Sequence, residues 1–176
     1  MNVNVCVIMS VSATEPDWSR ERKSFFAWNP GRSLLGCIRQ YQQYKTSKNV
    51  FRRIFLRRWV VLRYRFWSIV TGADIPLTTQ IGGGLMLPHP NGIVIHPEAK
   101  IGPNCIIFQQ VTIGTSNSSL VPVIGGHVDI GAGAKLLGAI LVGSHVEIGA
   151  NAVVLRDVPD DHIAVGVPAV VKNRKG

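Results

Sequence analysis

The sequence predicts an all-β domain wound as a parallel β-helix. The first observation is a period of six: an apolar branched residue returns every sixth position, with two phase resets, at Ile75, Ile81, Leu87, Ile95, Ile101, Ile107, Ile113, Ile124, Ile130, Leu136, Val142, Ile148 and Val154. The second is that glycine follows many of these residues, at Gly82, Gly102, Gly114, Gly125, Gly131, Gly143 and Gly149. Glycine is typical of corners, where the turning chain needs φ values that a Cβ would obstruct. Each hexad therefore predicts one short strand and one corner.

Three hexads make one triangular coil of about 18 residues, and successive coils stack at roughly 4.8 Å with the branched residues inside. The repeats account for somewhat more than four coils. The periodicity does not fix the hand of the winding. Two segments follow from the pattern: residues 1–72, which lack the repeat, and residues 73–176, which carry the β-helix and a C-terminal tail.

Composition agrees with one folded core. The chain has 176 residues, is 46% hydrophobic and contains 18 Gly and 10 Pro, which excludes a disordered protein. Cys6, Cys37 and Cys105 lie far apart without a CxxC pair, which argues against a disulfide framework and a structural zinc site. We therefore expect a reducing, cytoplasmic location.

The net charge of +9 is confined to the first segment. Basic residues concentrate between Arg20 and Arg65, where Glu21 is the only acid, whereas the repeat segment has no basic patch. Nucleic acid is therefore not expected as a partner. Residues 1–20 carry no periodic signal and are expected to be poorly ordered.

A helix is predicted over most of Lys48–Gly72, with Gly72 as its C-terminal stop. The apolar residues that recur at helical spacing are Val50, Phe51, Ile54, Phe55, Val61, Leu62, Phe66 and Ile69. The polar positions are almost all arginine, with Trp and Tyr interleaved. Two interpretations stay open: the apolar face packs on the β-helix while the arginines are solvated or pair at a subunit contact, or Lys48–Trp67 makes a peripheral contact with the inner face of an anionic membrane.

Several motifs resemble the serine acetyltransferase family in order and spacing. They are Asp74-Ile-Pro followed by Ile81-Gly, Leu87-Pro-His-Pro-Asn-Gly-Ile-Val-Ile, Val111-Thr-Ile-Gly, Ile130-Gly-Ala-Gly-Ala-Lys and Gly166-Val-Pro-Ala169. The resemblance covers about residues 72–172 and includes the two-residue reset after Leu87. It implies a left-handed winding, acetyl-CoA as cosubstrate and a homotrimer with CoA bound between subunits. The pattern is most similar to the colanic-acid and polysaccharide branch of these acetyltransferases.

Acetyl transfer to a hydroxyl needs a general base, and histidine suits this role because its pKa is near 6.5. His127, His145 and His162 fall on ordinary corner or strand positions, which leaves His89 and His96. The resemblance places the general base at His89 and its partner carboxylate at Asp74. One coil beyond Asp74 falls near Gly92, so we expect the two side chains at the same corner.

Small residues spaced about one coil apart predict a groove for the extended pantetheine arm of CoA. These are Ala132, Gly133 and Ala150, with Gly114 as a further member. By resemblance, Lys172 lies near the far end of the cofactor. No Ser or Cys accompanies His89 as a nucleophile, so direct transfer is expected. No pair of histidines has metal-ligand spacing, and we expect no metal.

The acceptor is inferred from two departures from the family. Serine acetyltransferases carry an Asp before the catalytic His and a His before the Pro-x-Ile that ends a loop, where this chain has Pro88 and Val121. These departures favour an acetyl-CoA-dependent O-acetyltransferase acting on a saccharide hydroxyl. Two alternatives remain: a serine O-acetyltransferase of cysteine biosynthesis, and a non-catalytic β-helix assembly protein.

Overall fold

The computed structural model describes residues 11–24, 27–50, 52–116 and 119–174. Two helices, α1 (Pro30–Lys45) and α2 (Arg57–Thr71), precede thirteen short strands. The strands are β1 (Gln80–Ile81), β2 (Val94–Ile95), β3 (Lys100–Ile101), β4 (Ile106–Ile107), β5 (Thr112–Gly114), β6 (Val123–Ile124), β7 (Asp129–Ile130), β8 (Lys135–Leu137), β9 (Leu141–Val142), β10 (Glu147–Ile148), β11 (Val153–Val154), β12 (His162–Val165) and β13 (Val170–Asn173). A 3₁₀ turn (Trp18–Glu21) and a π-helical turn (Arg52–Leu56) lie before α1 and α2 respectively.

The strands form a left-handed parallel β-helix with three faces. One sheet has the order β1-β3-β6-β9, a second β2-β5-β8-β11, and a third β4-β7-β10-β12 with β13 antiparallel at its end. All thirteen residues of the predicted period of six are buried, from 0% to 8% exposed. Each such side chain contributes on the order of 2 kcal/mol of hydrophobic stabilisation. The predicted fold class is confirmed.

The glycines after the branched residues serve a different purpose from the one predicted. A Cβ at Gly102 would lie 2.4 Å from the carbonyl oxygen of Gly125 in the next coil. Except for Gly114, these glycines therefore allow close stacking of successive coils. Left-handed backbone occurs instead at other corner positions, among them Gly133 (φ 75°), Asn104 (φ 61°) and His127 (φ 54°).

Helix α1 was not predicted from the sequence, although it supplies Leu34, Leu35 and Ile38 to the core at 0% to 1% exposure. Its Gly31 permits close contact with the β-helix, since a Cβ there would lie 2.6 Å from the carbonyl oxygen of Leu87. Gln and Tyr interrupt the apolar pattern of α1, which hides its periodicity. The helix covers part of the first coil.

The predicted helix ends as expected, with Gly72 in the left-handed conformation as its C-cap (φ 62°). The interpretation that this apolar face packs on the β-helix does not hold within the chain, because most of the face is exposed: Ile54 44%, Phe55 61%, Leu62 59%, Phe66 55% and Ile69 83%. Instead Val60 is buried, and Tyr64 and Trp67 pack against the core. The physical reason is that α2 packs on α1 as well as on the β-helix. Phe51 lies outside the described residues.

Residues 11–20 contact the β-helix rather than being poorly ordered. The Asn104 amide donates to the carbonyl oxygens of Ser12 and Glu15, both at 2.7 Å, and accepts from the Asp17 N–H at 2.8 Å. Asn104 is fully buried beneath this segment. Its polar groups are therefore satisfied by an N-terminal segment that shows no sequence periodicity. Residues 1–10, including Cys6, lie outside the described residues.

Candidate functional site

Asp74 stands at the start of the first coil, on the sheet that contains β2 and β5. Its N–H donates to the carbonyl oxygen of Ile93 at 2.8 Å, and its carbonyl oxygen accepts from the Ile95 N–H at 2.9 Å. These bonds place Asp74 in parallel register with Val94. Because side chains alternate along a strand, the Asp74 carboxylate lies on the outer face of the sheet and is exposed.

A groove of about 330 Å³ runs beside Asp74. Its polar lining includes His96 and Thr112, and its apolar lining includes Leu137. A Cβ built on Gly114, in the same lining, would meet nothing within 4 Å, so this glycine leaves open space. The groove thus combines a carboxylate, an imidazole and a small-residue floor, which is a suitable arrangement for a small polar substrate.

His96 is held by its own turn. Its Nδ1 accepts a hydrogen bond from the Glu98 N–H at 3.3 Å. A neutral imidazole whose Nδ1 accepts carries its proton on Nε2. His96 can therefore present an N–H donor to a ligand. The sequence left His96 as the second candidate after His89, and the structure is what brings it into the Asp74 groove.

His89 lies on the two-residue reset, in the turn from Pro88 to Gly92, and its side chain is exposed. The turn is fixed by the Gly92 N–H donating to the Gly72 carbonyl oxygen at 2.9 Å. The expected stacking of Asp74 near Gly92 is wrong, because the reset shifts the partner of Asp74 to Val94. Both side chains are described, and no hydrogen bond joins His89 to Asp74 within this one chain.

Tyr64 of α2 completes the surroundings of Asp74. Burial raises the pKa of the Tyr64 phenol, and the Asp74 carboxylate raises it further because a second negative charge nearby is unfavourable. The phenol therefore stays protonated and donates to the Ile75 carbonyl oxygen at 3.0 Å. Through this bond α2 fixes the start of the first coil, which positions Asp74.

The predicted groove for CoA is only partly assembled within one chain. Ala132, Gly133 and Ala150 lie on one corner, where the Asn151 N–H donates to the Ala132 carbonyl oxygen at 2.8 Å. Gly114 lies at the other end of β5, in the Asp74 groove. Lys172 is exposed on β13, where it is in register with Ile163.

The C-terminal loop closes over the last coil. The Ala169 N–H donates to the Val153 carbonyl oxygen at 2.8 Å, and the Val153 N–H donates to the Gly166 carbonyl oxygen at 3.0 Å. The loop thereby continues the sheet that contains Asp74, β2, β5, β8 and β11. It lies at the opposite end of that sheet from Asp74.

Arginines that are distant in sequence lie close to Pro88. A small cavity of about 80 Å³ is lined by Arg20, Asn29, Arg32 and Pro88, with Met86 and Leu87. One guanidinium N–H of Arg20 donates to the Asn104 carbonyl oxygen at 2.6 Å. A guanidinium has five donors, so others remain for an anion. Sequence reasoning missed this cationic neighbourhood, because no local motif connects residues 20 and 32 with residue 88.

A larger groove, of about 630 Å³, lies elsewhere. It is formed by α1 and the sheet of β1, β3 and β6, and its lining includes Lys45, Thr79 and Lys100. It contains neither a histidine nor a carboxylate. The smaller Asp74 groove, which has both groups, is therefore the better candidate for the functional site.

His127 and His145 form a pair on a different corner. Their Nδ1 atoms are 2.8 Å apart, so one nitrogen donates and the other accepts. Burial lowers the pKa of His127, and the neighbouring His145 contributes in the same direction, outweighing Asp129. Burial also raises the pKa of Asp129. Both residues have positive φ at corners of successive coils, so we interpret the pair as a structural contact between these coils.

The buried cysteines are core side chains. Cys37 and Cys105 are free thiols at 0% exposure. Burial raises the pKa of Cys105 to about 11, so it remains a thiol at neutral pH. Within the described ranges no three His, Cys, Asp or Glu side chains converge to hold a metal ion, and no helix there is long and apolar enough to cross a bilayer.

The fold and the groove define a class of protein, the hexapeptide-repeat β-helix with an acid and a histidine on one outer face. No protein-family profile matches the chain. The serine acetyltransferase of Synechococcus elongatus is 41% identical over 111 residues, 61% of this chain and 46% of that protein. That of Helicobacter pylori (strain J99) is 44% identical over 110 residues, 60% of this chain and 64% of that protein.

Solved structures give the same result. A soybean serine acetyltransferase complexed with serine has a TM-score of 0.69 at 32% identity, covering 82% of this chain and 58% of that one. A serine acetyltransferase in complex with CoA has a TM-score of 0.68, with the same identity and coverage. The chain spans about half the length of the first of these relatives. It resembles the serine acetyltransferase family in both sequence and fold.

The prediction of a saccharide acceptor is contradicted by these comparisons, since the relatives and structures above are serine acetyltransferases. The similarity to the colanic-acid and polysaccharide branch is likewise not supported. The inference failed because it equated two missing side chains, at positions 88 and 121, with a missing amino-acid site. A folded site can also draw on residues far away in sequence, and Arg20 and Arg32 lie beside Pro88 in the folded chain.

Proposed function

We propose that this protein is an acetyl-CoA-dependent serine O-acetyltransferase. The observation that carries the proposal is its similarity to serine acetyltransferases whose structures contain CoA and serine, at 32% identity over 82% of this chain. The Asp74 groove supports it, because an acid and a histidine beside open space are the groups that hydroxyl acylation requires.

In the proposed reaction, His89 accepts the proton of the serine hydroxyl as its oxygen attacks the acetyl carbonyl of the thioester. A C–O bond forms and the C–S bond breaks, so the acetyl group moves to serine and CoA leaves as a thiolate. The imidazolium of His89 then returns the proton to that sulfur. The imidazolium needs a carboxylate close to the ring, and we assign this role to Asp74, although no hydrogen bond joins it to His89 within one chain.

We assign His96 to substrate positioning. Its Nε2 hydrogen points to a role as donor, because Nδ1 is already occupied by the Glu98 N–H. A donor in the Asp74 groove suits a substrate oxygen, either of the thioester carbonyl or of the acceptor. His96 is also the rival candidate for the general base, since it lines the groove with Asp74 and His89 does not.

Arg20 and Arg32 are proposed to bind the carboxylate of serine. They line the cavity at Pro88, the residue immediately before His89. A guanidinium binds a carboxylate through paired N–H donors, which fixes both position and orientation. This assignment accounts for the serine carboxylate alone, because arginine carries the opposite charge to the Asp that Pro88 replaces.

We further propose a homotrimer in which CoA lies between subunits. The corner of Ala132, Gly133 and Ala150 would line the pantetheine arm, with Gly114 at the thioester and Lys172 near the far end. Gly114 and this corner are at opposite edges of one sheet, so an extended ligand is needed to contact both. The two buried thiols agree with a reducing, cytoplasmic location.

The test is thiol release from acetyl-CoA by the purified chain, measured with and without L-serine. We expect serine-dependent turnover with kcat/KM of about 10⁴ M⁻¹s⁻¹ or more, an ordinary enzymatic value. Light scattering on the same sample should give a trimer or a multiple of it. Binding of CoA without turnover on any hydroxyl acceptor would favour the non-catalytic alternative, and an active monomer would contradict the intersubunit site.

A further inference from the structure

One face of α2 carries large apolar side chains that are more than half exposed. They are Trp59 at 61%, Leu62 at 59%, Phe66 at 55% and Ile69 at 83%. The spacing between them alternates between three and four residues, so they form one continuous stripe along the helix. We call these four residues the α2 stripe. Contiguous apolar surface of this kind marks an interaction site in a folded protein.

The opposite face of α2 already serves the fold. Val60 is 2% exposed, and Tyr64 and Trp67 pack against the core. Trp67 also contacts Trp28, with ring centroids 5.5 Å apart. The stripe is therefore not needed to attach α2 to the rest of the chain, and its residues are available for a partner.

The charged side chains of α2 around the stripe are all positive. Arg58 and Arg65 are exposed on its flanks, and no Asp or Glu occurs anywhere between Arg22 and Ala73. Arg57 and Arg63 have partners within the fold, the Tyr41 ring at 5.8 Å and the Gln40 side-chain oxygen at 3.1 Å. The surface formed by the stripe and its flanking arginines is therefore apolar and cationic.

This charge pattern disfavours a second copy as the occupant. Apolar residues spaced alternately by three and four positions are typical of helices that pair as a coiled coil. In such a pair the residues that flank the apolar stripe of one helix face those of the other helix. Here those flanking positions hold Arg58, Arg63 and Arg65, so pairing two copies would oppose arginine with arginine. An anionic partner avoids this repulsion.

We propose that the α2 stripe docks on an anionic lipid bilayer, with α2 lying in the plane of the interface. The stripe enters the boundary between head groups and acyl chains, where Trp is well accommodated, and Arg58 and Arg65 contact lipid phosphates. The helix has 15 residues and does not span the membrane. The attachment is peripheral and is independent of the acceptor that the enzyme uses.

Flotation of the full chain with large vesicles tests the proposal. We expect binding to phosphatidylcholine vesicles containing about one third phosphatidylglycerol, weak binding to pure phosphatidylcholine, and release as salt rises through about 0.5 M, since the attraction is screened. The variant Arg58→Gln/Arg65→Gln should weaken binding to the anionic vesicles by about 25-fold, because each basic residue near the surface contributes roughly fivefold. The variant Trp59→Ser/Phe66→Ser should weaken it at least about tenfold.

Leu155→Ser is the matched control, since Leu155 is 51% exposed on the β-helix, away from α2. It should bind vesicles as the unmodified chain does. All variants should keep the circular dichroism and the acetyl-transfer rate of the parent in the absence of vesicles. Equal binding of the parent and Trp59→Ser/Phe66→Ser would overturn the proposal. A smaller assembly of this variant than of the parent in light scattering would also overturn the proposal, because the α2 stripe would then be covered by another copy of the chain.

Discussion

Asp74 is in parallel register with Val94, and the turn that contains His89 projects from the coil just before Val94. The two residues inserted after Leu87 cause this arrangement. Without them, the residue one ordinary coil after Asp74 would be near Gly92. The insertion thus separates the strand that pairs with Asp74 from the turn that carries His89, which leaves the turn exposed for a substrate or a neighbouring subunit.

Replacing each candidate base separately should distinguish the two histidines. We expect His89→Ala to lower kcat by about 10² or more with acetyl-CoA affinity nearly unchanged, because a general base acts in the transition state. His96→Ala should lower kcat less and raise KM. Steady-state kinetics with calorimetric CoA binding measures both, and a larger loss of kcat in His96→Ala would transfer the role of base to His96.

The proposed carboxylate site predicts a selective effect on serine. Arg32→Gln should raise the KM for serine by about tenfold and leave kcat and the KM for acetyl-CoA nearly unchanged, because the lost contact is equally strong in ground and transition states. Arg22→Gln, at an exposed neighbouring position, is the control. An unchanged KM for serine in Arg32→Gln would contradict this assignment.

An ion pair joins the N-terminal segment to α1. Arg39 donates to Glu21 through Nη2 at 2.8 Å and Nε at 3.1 Å, and also to the Gly82 carbonyl oxygen at 2.6 Å. Their side chains are only 20% and 10% exposed. Arg39→Met should therefore lower the free energy of unfolding by about 2 kcal/mol, since it leaves Glu21 without its cation.

Urea denaturation measures this loss, and the chain offers a matched control. Arg174 and Glu147 are 4.0 Å apart and about half exposed, at 49% and 51%. Arg174→Met should change the free energy of unfolding by less than about 0.5 kcal/mol, because solvent screens an exposed pair. Equal losses in the two variants would show that Arg39 contributes no more than a surface charge.

The paired histidines predict a pH dependence of stability. The pKa of His127 is lowered in the folded chain, so the unfolded chain binds the proton more readily. The free energy of unfolding should fall as pH decreases through the ordinary histidine pKa of about 6.5. Above that pH the stabilising contribution of neutral His127 should be fully present. Thermal unfolding between about pH 7.5 and 5.5 should therefore show a falling Tm.

His127→Asn should flatten this dependence. Asparagine accepts positive φ and occupies the equivalent corner at Asn104, so the substitution preserves the turn. His162→Asn, outside the pair, should retain the slope of the parent. An unaltered slope in His127→Asn would mean that other groups control stability in this range.

The β-helix and its core can be predicted from the amino-acid sequence alone. A branched side chain at every sixth position can be buried only if each strand is followed by a corner, so the spacing is enough to identify the thirteen core residues from Ile75 to Val154. Local pattern also locates the end of α2 at Gly72, and the family resemblance singles out His89 and Asp74, with His96 as the other histidine. These features depend on neighbours along the chain, which a sequence displays directly.

Which surfaces are covered, and which groups meet, depends on tertiary packing. Helix α1 contributes Leu34, Leu35 and Ile38 to the core, and most of the apolar face of α2 is left exposed. The register shift after Leu87 brings His96, rather than His89, into the groove of Asp74. Arg20 and Arg32 reach Pro88 from positions more than fifty residues away. Such contacts arise from packing between distant segments, and no local periodicity records them.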